Sequence, residues 1–196
     1  GSFTPGGGTV IYTGAAEFIA PWDYSNLILR RGSTSLTSSN ASVAVSGTLT
    51  VEAGNTFNIN NTGLTQNALS LRVHNWDNYG AVNFTGGGAF GFGPSVSSTG
   101  SIITRGPFSL GAISILDIDG TIATAGAGSY SFGSLSHVRY TTTTPFTIFT
   151  ETYGNLSLVG ATSYFLDNTV TAVATTTIVT GATLDLNGQS FMADGD

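Results

Sequence analysis

Three glycines, Gly80, Gly100 and Gly120, stand twenty residues apart, and the segments that follow them carry the same pattern. Gly80-Ala81-Val82 matches Gly100-Ser101-Ile102 and Gly120-Thr121-Ile122, and Gly86, Gly106 and Gly126 fall in register six residues later. Near the end of each segment Ser98, Ile118 and Val138 coincide. A fixed period of this length constrains a chain more than its composition does, because equivalent residues must then occupy equivalent places in successive structural units. About twenty residues per unit is the size of one coil of a parallel β-helix.

A longer period contains the shorter one. Residues 10–60 align with 138–187 at an offset near 128. Tyr12 meets Tyr140 and Phe18 meets Phe146. After one inserted residue, Asn26-Leu27-Ile28-Leu29 meets Asn155-Leu156-Ser157-Leu158. Thr56-Phe57-Asn58-Ile59-Asn60 meets Thr183-Leu184-Asp185-Leu186-Asn187. Within both copies the local pattern alternates apolar and polar residues with period two, as in Thr48-Leu49-Thr50-Val51 and Leu156-Ser157-Leu158, which is the signature of strands. Gly, Asn and Ser between them supply turns. No window shows sustained helical periodicity.

These features predict an all-β fold, a single-stranded parallel β-helix (β-solenoid) with about twenty residues per coil. The alternative is a β-sandwich, which also has short alternating strands. Equal glycine spacing favours the solenoid, whose coils stack about 4.8 Å apart and bring equivalent residues into line. Residues 1–196 are expected to form one continuous solenoid segment, with short coils at 80–139 and the long repeat on either side. Both ends fall inside the strand-and-turn pattern, so the chain is read as a fragment of a longer protein.

Composition narrows function. Only 8% of residues are charged, there is no Cys, and five arginines (Arg30, Arg31, Arg72, Arg105 and Arg139) supply all the basic charge, giving a net charge of −6. Nucleic acid requires a clustered basic face, so it is not expected as a partner. Apolar runs are far shorter than a spanning helix needs, and no membrane insertion is expected. Apolar residues at 40% of the chain argue against disorder.

The segments Gly8-Thr9-Val10-Ile11-Tyr12-Thr13-Gly14, Tyr24-Ser25-Asn26-Leu27-Ile28-Leu29, Val45-Ser46-Gly47-Thr48-Leu49-Thr50-Val51 and Ala182-Thr183-Leu184-Asp185-Leu186-Asn187-Gly188 resemble repeats of large secreted bacterial adhesin-like surface proteins. That class is similar to the filamentous-haemagglutinin and autotransporter-passenger proteins. The resemblance covers 1–60 and 138–196. It implies a parallel β-helix, an extracellular or cell-surface location and a non-catalytic stalk or adhesive role. Its implied partners are neighbouring repeats of the same chain and surface glycans or other cells.

Few residues offer chemistry. Asp117 and Asp119 place two carboxylates on one side of a strand, where they could hold calcium or act as an acid–base pair. The competing reading is two solvent-facing positions near a turn, with Ile118 pointing inward. His74 and His137 are the only histidines, each without a neighbouring ligand set in sequence. No Gly-x-Ser-x-Gly leads into a helix. The aromatic residues Trp22, Tyr24, Trp76 and Tyr79, beside Asn and Asp, form the best candidate surface for stacking on sugar rings, against the alternative that they seal the core. Trp22 has no Trp counterpart in the second copy, where Phe149 or Thr150 falls. The expectation is therefore no catalytic residue and no cofactor. A structural or adhesive segment leads, with a carbohydrate-binding module or a filament subunit associating end to end as alternatives.

Overall fold

A computed structural model describes residues 6–14, 16–37, 42–61, 70–86, 95–111 and 114–194. Every strand pairing among them is parallel, and no helix occurs. The chain winds as a β-solenoid with roughly 22 residues per turn. Each turn contributes three short strands, so three columns of strands enclose one core.

The columns can be followed rung by rung. In the first, Tyr24 lies beside Val45, then Val73, Ser98, Ile118, Tyr140, Leu158 and Ile178. In the second, Val10 is followed by Leu27, Leu49, Trp76, Ile102 and Ile122. The third runs Thr34, Phe57, Val82, Phe108 and Tyr130. Alternation decides these ladders, because every second side chain of a strand faces the same way. Most inward rungs are fully buried.

Aromatic rings fill the wide middle of the core. Phe57 contacts Trp76, Trp76 contacts Phe108, Phe108 contacts Tyr130 and Tyr130 contacts Phe149, with ring centroids 5.0–6.3 Å apart. Phe132 stacks on Tyr153 at 5.2 Å. Such pairs contribute about 0.5–1.5 kcal/mol each beyond area burial. The spine thus crosses several turns and ties them together.

Corners are where the glycine period has its cause. A methyl group on Gly120 would overlap the carbonyl oxygen of Gly100 one turn below, and one on Gly106 would overlap that of Gly80. Gly100 and Gly120 therefore stack as the period predicts. Gly80 does not join them. It sits at the next corner beneath Gly106, and Val82 pairs with Phe108 rather than with Ile102. Turn length varies, long from Leu49 to Trp76 and short from Val138 to Leu156, so a constant frame of twenty drifts from one corner to another.

The long repeat survives in atomic detail. Tyr24 donates its hydroxyl proton to Ala20 O (2.9 Å), the Tyr12 hydroxyl lies 2.9 Å from that of Tyr24, and Ala20 N–H donates to Tyr12 (3.1 Å). In the second copy Tyr153 donates to Phe149 O, the Tyr140 hydroxyl lies 2.8 Å from that of Tyr153, and Phe149 N–H donates to Tyr140 (3.3 Å). Each hydroxyl has one proton, so Tyr12 and Tyr140 must donate to their tyrosine partners, closing each circuit. Burial pushes the phenols of Tyr24, Tyr140 and Tyr153 well above their ordinary range, so all remain donors. The copies do not lie on the same column. Tyr140 occupies the column of Tyr24, not that of Tyr12, so the unit has moved one face around the axis.

The stacked corner sets one expectation. Gly120→Ala should lower stability by about 3 kcal/mol, because backbone on the next turn cannot retreat. Gly8→Ala, with open space around it, should change stability by less than about 0.5 kcal/mol. Urea unfolding followed by circular dichroism measures both.

Candidate functional site

The outward rungs form three surfaces. Outside the third column Asn83 donates to Asn58 one turn below (3.2 Å). Three ion pairs link the turns. Arg30 grips Glu52 through two bonds of 2.8 and 2.7 Å, Arg105 pairs with Asp77, and Arg139 grips Asp117 through bonds of 2.5 and 2.6 Å. Each pair joins adjacent turns. Partly exposed pairs of this kind add little to stability. Their larger consequence is that three of the five arginines are already neutralised.

The four expected aromatic site residues do not assemble. Tyr24 and Trp76 are 2% and 1% exposed and belong to the core. They occupy inward rungs, Tyr24 beside Val45 and Trp76 between Leu49 and Ile102, so alternation turns their rings away from any ligand. Trp22 (37% exposed) and Tyr79 (43%) do reach the surface. They occupy different corners. Trp22 lies against Tyr24 at 6.5 Å between the third and first columns, whereas Tyr79 lies between the second and third with the Arg105 guanidinium 4.4 Å over its ring. The aromatic glycan platform is thus corrected to two core residues and two separate surface residues.

Asp117 and Asp119 are separated in role as well. The Asp117 carboxylate is occupied by Arg139, while Asp119 lies just past the strand Ile115–Ile118 and is exposed. Among the described residues no group of three His, Cys, Asp or Glu could hold a metal ion. The expected carboxylate pair becomes one half of an ion pair and one corner residue.

Two arrangements were invisible without the register. His137 Nε2 lies 2.7 Å from Ser157 Oγ on the next turn, beside the Asp117–Arg139 pair. Burial and the Arg139 cation hold the imidazole below its ordinary value, with Asp117 opposing. Ser157 is buried, and the Asp117 oxygens face Arg139 rather than the histidine. The strands here pair in register through their backbones. The pair can exchange a proton.

The second arrangement is a shallow depression of about 260 Å³ outside the first column, lined by Ala44, Val45, Ser46, Arg72, Val73, His74 and Thr99. His74 Nδ1 lies 3.0 Å from Thr99 Oγ1. No family model, curated protein or solved structure matches the chain.

Two outcomes follow. Trp76→Ala should cost about 3–5 kcal/mol of stability, as loss of a core ring does, whereas Trp22→Ala should cost about 1 kcal/mol or less; chemical denaturation separates them. His137 ionises in the unfolded chain near its ordinary 6.5 and in the folded chain at lower pH, so protonation favours unfolding. Its contribution should be constant above about pH 7 and should erode as pH falls below the ordinary imidazole value. Melting temperatures at pH 7.5 and 5.5 should differ less in His137→Gln than in the parent chain.

Proposed function

We propose that this chain is a non-catalytic, rod-forming segment of an extracellular bacterial surface protein, serving as a stalk with adhesive capacity. The observation that carries the reading is the recurrence of the closed tyrosine circuit, Tyr12–Tyr24–Ala20 and Tyr140–Tyr153–Phe149, in a stack of parallel turns. A unit duplicated with its internal bonding intact, and advanced one face around the axis, adds length without adding a new site. Length is what a spacer provides. The low charge and the neutral Ser, Thr and Asn exterior suit a surface held in water by hydroxyls and amides instead of ions.

A specific observation also favours the filament alternative. In the last turn Ile178, Leu186 and Met192 are exposed. Their sequence equivalents in the first copy include Ile59, which is fully buried beneath the following turn at Phe84. The last described turn therefore presents apolar side chains against which another molecule could pack.

Small-angle X-ray scattering on the chain and on two copies fused in tandem tests the proposal. Eight rungs about 4.8 Å apart predict a rod of about 40 Å, roughly doubled by fusion and unchanged on dilution. Growth with concentration would replace the stalk by the filament, and a compact particle would remove both.

A further inference from the structure

We propose that the depression around Arg72 is a binding subsite for an oxyanion carried on a sugar, the carboxylate or sulfate of an acidic polysaccharide. The inference rests on the adhesive part of the reading above and gives it a place and a ligand class.

Arg72 is one of two arginines without an acidic partner on a neighbouring turn. Arg30, Arg105 and Arg139 each meet an acidic residue on a neighbouring turn. The rungs on either side of Arg72 are Ala44 and Ser97, so no carboxylate lies one turn away in either direction. The next acidic rungs, Asp23 and Asp117, are two turns off, and Asp117 is held by Arg139. Arg31, the other arginine without such a bond, sits in a positive-φ corner at 64° within the field of Glu52. Arg72 alone combines an uncommitted guanidinium with a concave surface.

The concavity arises from residue size. Ala44 and Ser46 lie on the turn before Arg72 and His74, and their short side chains leave a hollow that longer ones would fill. Its volume of about 260 Å³ suits one sugar ring rather than an extended ligand. The planar fork of arginine donates two parallel bonds to a carboxylate or sulfate. Ser46 Oγ, whose proton goes to Tyr24 O (3.4 Å), can accept from a ring hydroxyl, and the bond between His74 and Thr99 fixes the imidazole at the rim.

The surrounding charge also selects among anions. One guanidinium on a chain of net charge −6 attracts an isolated negative group, while a densely charged chain such as DNA meets net repulsion. The ligand is therefore a polysaccharide whose oxyanions are spaced sugar by sugar rather than packed as closely as nucleic-acid phosphates.

Isothermal titration calorimetry tests this with three probes: hyaluronan oligosaccharide (isolated carboxylates), chondroitin sulfate oligosaccharide (carboxylates plus sulfates) and neutral chito-oligosaccharide. The first two should bind and the third should not, and the stronger of the two identifies which oxyanion fits. Arg72→Gln should weaken binding by about tenfold or more, and Arg72→Lys should restore part of it, since a point charge replaces the fork. Arg105→Gln, which removes the same charge elsewhere, should leave affinity unchanged. Circular dichroism verifies that each variant folds. Binding that survives Arg72→Gln, falls equally with Arg105→Gln, extends to the neutral probe or fails with both acidic probes overturns the subsite. Because scattering reads the rod independently, absence of binding by a 40 Å rod would remove this site and leave the stalk standing.

Discussion

In-register stacking of parallel turns, about 4.8 Å apart, is the constraint on which every other feature depends. Once backbone hydrogen bonds lock one turn to the next, each side chain has fixed neighbours above and below. Apolar rungs then stack into ladders such as Val10, Leu27 and Leu49, and the widest part of the core fills with the Phe57–Trp76–Phe108–Tyr130 spine. At the corners the same closeness excludes even a methyl group, which is why Gly120 lies on Gly100. On the outside it turns opposite charges one turn apart into pairs, as with Arg139 and Asp117.

Stacking also explains how a chain with so little charge can still carry an electrostatically distinctive position. A solenoid surface is a grid, and a charge is neutralised only if its grid neighbours oppose it. Arg30, Arg105 and Arg139 have such neighbours; Arg72 has Ala44 and Ser97. Ala44, which denies it a partner on one side, also opens the space in front of it together with Ser46. One local choice of side chains thus produces both the free cation and the hollow.

The duplicated tyrosine circuit joins sequence history to geometry. Its three hydrogen bonds recur with the same donors and acceptors, yet Tyr140 sits in the column that Tyr24 founded. The repeat is therefore not a whole number of turns. Local bonding tolerates this because it spans one turn only, and the three columns offer equivalent surroundings. A surface feature encoded once per unit would appear on successive faces of a longer array.

Much of the architecture was legible in the residues alone. Period-two alternation, corner glycines and tandem similarity specify a parallel β-solenoid, because each depends on neighbours close in sequence or on repetition itself. Register was not legible, since it depends on the lengths of individual turns. That is why Gly80 falls beneath Gly106 instead of aligning with Gly100. The same ignorance misplaced the candidate site. Trp22 and Tyr24 are two residues apart, and so near a corner the sequence does not say which ring turns inward. Trp76 looked like part of an aromatic surface until its rungs, Leu49 and Ile102, placed it in the core. The Ser157–His137 contact and the isolation of Arg72 are both relations between turns. Sequence by itself determined the kind of fold and the alternation of its strands; tertiary structure alone decided which residues became neighbours, because only the stacked turns bring together side chains some twenty residues apart.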